Sequence, residues 1–406
     1  MTQYQISVDS ELLHQLFLGE SKDVGMAALL QSVLNQVLKA QASEQLGAEH
    51  YERTEERQGY RNGSYPHKLS TRVGQITLQV PRFRNGEFST ELFARYQRSE
   101  QALVLAMMEM VINGVSTRKV TTITEELCGT GFSKSTISDL CKQLDPLVDA
   151  WNNRPLTLAY PFLLVDALYV KVREDGRVRS RGVLIATGIN EEGYRELLGL
   201  SVGDTESATT WGSLFNHLKE RGLHGVDIVT SDQHSGLVKA VREHFEGATW
   251  QRCQTHFMRN ILDATPKALR DEMKAHVRAI YEAADVKSAR SLLEQTMNAF
   301  EERAPKALNV LEDGFDDATA VLALPLTCRI RTRTTNVVER LNAELRRRER
   351  VIRIFPNRQS VIRLFGALLM EMDEKWSVGK KYIEMTEYHE WRKKTPKTTE
   401  KPTRDE

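Results

Sequence analysis

Asp166 lies inside the apolar run Phe162-Leu163-Leu164-Val165-Asp166-Ala167-Leu168-Tyr169-Val170, where a carboxylate is out of place. The run is rich in β-favouring residues and follows Pro161, so it reads as a strand. Alternation along a strand sets Asp166 on one face with Phe162, Leu164, Leu168 and Val170. A lone carboxylate on such a face is costly unless it is paired, protonated or bound to a metal. Two further acids stand at the ends of elements. Asp232 closes the short strand that starts at Val226 and precedes a helix starting at Ser235, the place where open α/β sheets hold their ligands. An Asp there also serves as a helix N-cap, but Ser235 is closer to the helix and can do that work. Glu339 falls near the start of a helix over Thr334 to Leu345, with Thr334, Thr335 or Asn336 as its cap. Residues three and four apart are neighbours on a helix: Glu344 faces Arg340, Arg347 and Arg348, an ion-pair network, whereas Glu339 faces Thr335, Asn336, Asn342 and Ala343. Its charge is left for a cation. Hard oxygen donors suit two Mg²⁺ ions, with Mn²⁺ as a substitute, and ions about 3.5–4 Å apart clamp the attacking and leaving oxygens of phosphoryl transfer. Asp166, Asp232 and Glu339 are thus the expected catalytic and metal-binding residues.

The intervening elements agree with such a site. Strands are expected at 182–188 and 194–202, a helix at 210–219 capped by Asp204 or Thr205, and a fifth short strand at 248–251. Three consecutive strands, a helix, a strand, a helix and a strand follow the order of a ribonuclease-H-like core, which constrains the fold and not the reaction. Charged amphipathic helices broken by Pro266 and Pro305 fill roughly 257–320.

The chain resembles a DDE transposase of the bacterial Mutator-type insertion-sequence family over most of its length. The resemblance is carried by Gly114-Val115-Ser116-Thr117-Arg118-Lys119-Val120, by Asp166 with Tyr169-Val170-Lys171-Val172-Arg173-Glu174, and by Ser231-Asp232 with Gly236-Leu237. Trp250-Gln251-Arg252-Cys253-Gln254-Thr255-His256-Phe257 and Thr334-Thr335-Asn336-Val337-Val338-Glu339-Arg340-Leu341-Asn342 complete it. It implies cleavage at inverted-repeat ends, strand transfer of the 3′-hydroxyl into target DNA, and an α-helical insertion between the second Asp and the Glu. The expected fold class is multidomain α+β: a ribonuclease-H-like α/β core (156–256 and 326–392) interrupted by a helical insertion (257–325). Preceding it are largely helical DNA-binding domains, one at 1–98 with a β-hairpin and a dimerisation role, one at 99–155 resembling a helix-turn-helix. A nuclease or resolvase without strand transfer, and a non-catalytic DNA-binding regulator, are the competing readings. Cys253 and His256 form a Cys-x-x-His element, half of a zinc site by spacing, but structural zinc takes four ligands. They are expected to be structural, tying the insertion to the core. Trp250 is a candidate for stacking on a displaced base.

Composition excludes several classes. The chain has 406 residues with 56 basic and 55 acidic side chains, a net charge of +1, so it is not uniformly basic. Four irregularly spaced cysteines and the lack of a long apolar stretch point to a reducing, cytoplasmic setting at the bacterial nucleoid. Charge is uneven: Arg333, Arg340, Arg346 and Arg347 crowd the Glu339 helix and, with Asn342, are expected to contact the DNA backbone. Upstream, Met26, Leu29, Leu30, Val33, Leu34, Val37 and Leu38 form an amphipathic helix, a candidate interface for a homodimer or larger assembly. The stretch from Tyr51 to Gly63 is polar and aromatic, an exposed arm or loop. Thr71-Arg72-Val73 and Ile76-Thr77-Leu78-Gln79-Val80 flank Gly74-Gln75, a glycine-led hairpin turn. A helix ending at Asn113-Gly114 precedes a helix over Thr117 to Leu127, a glycine turn, and a helix beginning at Ser133. Arg118 and Lys119 on the first of this pair, and Lys134, Ser135 and Thr136 on the second, are expected to contact DNA. Residues 393–406 are charged and expected to be a disordered tail.

Overall fold

The computed structural model describes residues 5–18, 22–84, 88–90, 92–93, 99–129 and 131–395, and the chain divides after Gln143 into two compact units. In the first, helices α1 (Ser10–Leu18) and α2 (Lys22–Leu46) precede a hairpin of β1 (Arg61–Thr71) and β2 (Gly74–Phe83). Leu30, Leu34 and Leu38, one face of α2 by their spacing, pack on Leu69, Ile76, Leu78 and Val80 of the hairpin. Polar residues of the same helix meet the β2 backbone: Gln31 Oε1 accepts from Thr77 N and Asn35 Oδ1 from Gln79 N, both at 2.7 Å. They occupy donors that an open strand edge would offer to another chain. The turn lies earlier than the glycine suggests, at Arg72-Val73, because Thr71 pairs with Gly74 and Gly74 opens β2 at φ +117°. Arg61 to Gly63, expected in an arm, start β1 instead. Helices α3 (Gln101–Ile112), α4 (Thr117–Cys128) and α5 (Lys134–Cys141) pack pairwise. Ser116 and Ser133 cap α4 and α5 through Lys119 N and Thr136 N, and left-handed Gly129 ends α4.

The second unit opens with α6 (Asp145–Asn152) and the strands β3 (Phe162–Glu174), β4 (Arg177–Ile189) and β5 (Arg195–Gly203). Then come α7 (Ala208–Glu220), β6 (Ile228–Ser231), α8 (Ser235–His244) and β7 (Thr249–Arg252). The sheet order is β5-β4-β3-β6-β7, with the first three strands antiparallel and β6 and β7 running parallel to β3. β3 and β4 extend past their apolar cores to a two-residue turn, Asp175-Gly176, with φ 49° and 73°; paired left-handed residues match the strand twist. Leu163, Val165, Leu184, Ala186 and Leu198 pack with Trp211, Leu214, Phe215 and Leu218 of α7 and Leu237 and Val241 of α8. Ser207, in a reciprocal box with Thr210, caps α7 rather than Asp204 or Thr205, because it is the extended residue just before the first turn.

After β7 the helices α9 (Gln254–Ala264), α10 (Arg270–Tyr281), α11 (Val286–Phe300) and α12 (Pro305–Thr319) enclose their own core around Phe257, Ile261, Val277, Phe300, Leu311 and Phe315. The chain returns through α13 (Leu326–Thr332) to α14 (Asn336–Ile352), α15 (Arg358–Ser377) and α16 (Thr386–Lys394). Helix α14 lies on β3 and α15 on β5. Asp373 of α15 accepts from Leu197 N (2.7 Å), Trp151 Nε1 (3.0 Å) and Arg154 Nη2 (2.9 Å), joining α15 to β5 and to the end of α6. On α16, the Tyr388 hydroxyl donates to Asp227, Arg392 Nε lies 3.2 Å from the same carboxylate, and the Tyr388 ring meets Phe162 edge-on. Lys393 and Lys394 belong to α16 and not to a tail; residues 396–406 lie outside the described residues. No described helix is long and apolar enough to cross a membrane.

Candidate active site

Asp166 and Asp232 are brought side by side by strand register. β3 and β6 pair in parallel as Phe162 with Ile228, Leu163 with Val229 and Leu164 with Thr230. Projected two residues beyond the paired stretch, that register points Asp232 towards Asp166, and the charge of Asp232 acts on the Asp166 carboxyl. Asp232 follows β6 directly, and it caps nothing: His234 holds the N-cap position of α8, without a side-chain cap bond, and Ser235 is already helical. Asp166 Oδ1 accepts from Ala167 N at 2.9 Å and Oδ2 from Asn342 Nδ2 at 2.7 Å. Burial pushes the Asp166 carboxyl up to about 7, the Ala167 amide opposes this, and the neighbouring charges of Asp232 and Glu339 push the same way as burial.

Glu339 reaches the group from α14. The entry to that helix is pinned twice: Thr230 Oγ1 donates to Thr332 O at 2.6 Å, and Thr335 donates its N–H and its hydroxyl to Cys253 Sγ at 3.4 and 3.3 Å. Glu339 Oε1 lies 3.7 Å from His256 Nε2 and is buried without a hydrogen-bond partner. Ligand atoms of Cys253, His256 and Glu339 lie within 4.8 Å of one another. A hydrogen bond to Cys253 holds the His256 imidazole up at about 9 against burial, with Glu339 and Asp232 adding to it. Burial would raise the Cys253 thiol, but hydrogen bonds from His256 and Thr335 bring it below its ordinary value. Glu339 thus does have a basic neighbour, supplied by another element where helix spacing could not reveal it. Glu344 is paired with Arg347 and Arg348 but not with Arg340.

Two expected DNA contacts are placed differently by the structure. Asn342 is buried and holds Asp166, which corrects its place on the DNA surface; one turn beyond Glu339, it points the same way as the acid. Trp250 is buried in the sheet core with its indole N–H on Ser231 Oγ at 2.9 Å, so its ring faces are packed rather than offered to a base. The rest of its motif stitches the four-helix segment to the sheet. Gln251 Nε2 and Gln254 Nε2 both donate to Ala318 O at 2.9 Å, and Gln251 Oε1 accepts from Val321 N at 2.7 Å.

One neighbouring acid was missed. Glu206, in the loop before α7, is mostly buried beside Trp211 Nε1 (3.3 Å), the Tyr169 hydroxyl (3.5 Å) and His234 Nδ1 (3.7 Å). Burial raises its carboxyl, His234 lowers it and Asp232 raises it. A loop acid beside a capping serine gives no signal in sequence. Arg340, Arg346 and Arg347 are exposed and Arg333 is half-buried on the α13–α14 segment. In the other unit, Arg118, Lys119, Lys134, Ser135 and Thr136 are all exposed at the starts of α4 and α5.

Residues 1–379 match the profile of the family described as Transposase, Mutator family. The chain is 44% identical over 387 residues, 94% of its length and 99% of the relative's, to the transposase for insertion sequence element IS256 in transposon Tn4001 of Staphylococcus aureus. It is 44% identical over 369 residues (91% and 93%) to the transposase for ISRM5 of Rhizobium meliloti. With the transposase for IS1081 of Mycobacterium tuberculosis it shares 38% over 378 residues (93% and 91%).

Proposed function

The chain belongs to the Mutator family of transposases, and on that premise we propose that Asp166, Asp232 and Glu339 form a two-metal phosphoryl-transfer site acting on DNA. The observation that carries the proposal is the convergence of three acids from separate segments, with Asp166 pushed to about 7 by burial and by the other two. The residues fit hard cations. Glu339 Oε1 is buried with no hydrogen-bond partner and the donor set is all carboxylate oxygen, which suits Mg²⁺, with Mn²⁺ as a substitute. The sheet order supports a ribonuclease-H-like core, and the α9–α12 segment the helical insertion.

The reaction is two in-line displacements. Water attacks a phosphodiester at an inverted-repeat end and leaves a 3′-hydroxyl; that hydroxyl then attacks a phosphodiester of target DNA and releases a second 3′-hydroxyl. Bound ions would lower the pKa of the attacking oxygen and offset charge on the phosphorus oxygens. Asp166 would hold them as the carboxylate, together with Asp232 and Glu339. Asn342 fixes the aim of Asp166, while Cys253 and Thr335 fix the start of the Glu339 helix. The surface arginines Arg333, Arg340, Arg346 and Arg347 take the backbone. Arg118, Lys119, Lys134, Ser135 and Thr136 read the element end, and holding two ends calls for at least a homodimer.

Glu339→Gln tests the site: metal-dependent nicking of DNA carrying the element end should fall by at least about 10³-fold, since one lost charge-stabilising group of this kind costs roughly 10²–10³ and the carboxylate also retains the ions. End binding without metal should be retained. Nicking that survives in the variant puts the third ligand elsewhere. Asn342→Ala, a positioning change, should cost about 10–100-fold, with the acidic limb of the pH–rate profile moved to higher pH because the lost N–H donor favoured the ionised Asp166. A uniform loss at every pH would mean that Asn342 serves only packing.

A further inference from the structure

A cleft of about 450 Å³ opens where α10 faces α13 and the start of α14. Its wall carries five cations, Lys274 and Arg278 of α10 with Arg331, Arg333 and Arg340, against one acid, Glu282. None of the five is in an ion pair among the described residues, whereas nearby Arg348 holds Glu344 and Arg329 caps main-chain carbonyls. Lys274 and Arg278 are four residues apart, so they share one face of α10, and both are exposed.

Three further features concentrate positive potential at this place. Thr335, at the N-cap of α14, makes no side-chain cap bond because its hydroxyl goes to Cys253. The first-turn N–H groups of a 17-residue helix, at Asn336 and Val337, therefore lie on the cleft wall uncapped, and such a terminus attracts anions. Tyr382 lines the cleft between two guanidinium groups, Arg331 at 4.8 Å from its ring centre and Arg195 at 4.7 Å. Arg195 also stacks on Trp376 at 3.6 Å, and its Nε is buried without a hydrogen-bond partner. Burial brings the Arg195 guanidinium below its ordinary value, and Arg331 and Arg340 lower it further. Cations held this close repel one another, and an anion lying among them removes that repulsion.

We propose that this cleft seats the phosphate backbone of a DNA strand, gripped jointly by Lys274 and Arg278 of the four-helix segment and by Arg331, Arg333 and Arg340 beside the Glu339 helix. The inference rests on the phosphoryl-transfer reading and gives the four-helix segment a direct part in it. It is one jaw of a clamp whose other jaw carries the third acid. Because Glu339 lies in the first turn of α14, a strand held at that helix terminus passes within one turn of the acid group.

The test uses the full chain in EDTA, with fluorescein-labelled single-stranded and duplex DNA of arbitrary sequence, read by anisotropy between about 50 and 200 mM salt. Lys274→Ala/Arg278→Ala should flatten the slope of log affinity against log salt by about 1.5–2 and weaken binding about tenfold or more, as expected for two lost phosphate contacts. The control Lys287→Ala/Lys306→Ala removes the same charge from exposed positions of α11 and α12 outside the cleft, and should leave the slope near that of the unaltered protein. A cleft variant that binds like the unaltered protein overturns the proposal, and so does a control that weakens equally. Metal-dependent cleavage by the unaltered protein, measured on the same preparation, separates the two ideas. Cleavage with cleft-independent binding removes only the clamp, whereas cleft-dependent binding without cleavage supports the clamp and removes only the acid site.

Discussion

Asp166→Asn is expected to abolish metal-dependent DNA cleavage while raising the melting temperature of the metal-free protein by about 5 °C at pH 8. The two effects share one cause. Burial and the charges of Asp232 and Glu339 raise the Asp166 carboxyl from 3.8 to about 7. The folded state then holds a proton that the unfolded state has released, so this group lowers stability progressively between about pH 4 and pH 7, and fully above that. The whole shift would be worth at most about 4 kcal/mol at 1.36 kcal/mol per unit, and residual solvent at this mostly buried carboxyl screens it to roughly 2. An amide cannot ionise and avoids that cost. It also keeps its neighbour: the unpartnered Asn342 Oδ1 can turn to accept from the new N–H. The melting difference between variant and wild type should therefore vanish near pH 4 and grow to its full size above pH 7. Adding Mg²⁺ should stabilise the wild type and not the variant. A variant that melts lower than wild type at pH 8 would show that Asp166 is a structural acid.

Asp373→Ala should cost about 3–5 kcal/mol, a loss read as a lower midpoint in denaturant unfolding of the larger unit. One carboxylate, 12% exposed, accepts from a backbone amide of β5, the Trp151 indole and the Arg154 guanidinium. Its removal leaves a partly buried arginine without its charge partner and an indole and an amide without acceptors, the circumstance in which deleting half of a buried pair is most damaging. Asp373→Asn keeps the shape and part of the hydrogen bonding and should cost less than half as much. Equal losses for the two variants would place the effect in charge alone.

What the sequence disclosed follows from where each interaction is made. Asp166 stands out because a carboxylate interrupts an apolar strand, and Glu339 because Glu344 has basic partners at helical spacing and Glu339 has none. Both signals are local. The roles of Asn342 and His256 are not, since each depends on β3, α9 and α14 meeting at one point. Asn342 therefore reads as a surface residue of an arginine-rich helix although it faces inward to Asp166. Trp250 has a comparable history: an exposed ring and a buried one have the same neighbours in sequence, and only the Ser231 acceptor on the adjacent strand distinguishes them. The antiparallel pairing of β3 and β4 was written in Asp175-Gly176, a dipeptide that favours left-handed turns. It is easily passed over because the flanking residues are charged and the apolar runs stop short of it. At the first hairpin the glycine misled, since Gly74 follows the turn instead of forming it. Glu206, among loop residues with no periodicity, left no trace.

The hydrogen bond between Asp166 and Asn342 joins residues 176 positions apart, and this has a consequence for how the protein is made. At roughly 5–20 residues per second, about 10–35 seconds of translation separate the first acid from the helix that holds it. Over that interval the emerging chain gains Asp232 after Asp166, but Glu339 comes only at its end. A chain still on the ribosome, or one released early by a nonsense codon, lacks the helix that supplies Glu339 and the Asn342 bond to Asp166. On the proposed reading, the three-acid site is completed only in the finished chain.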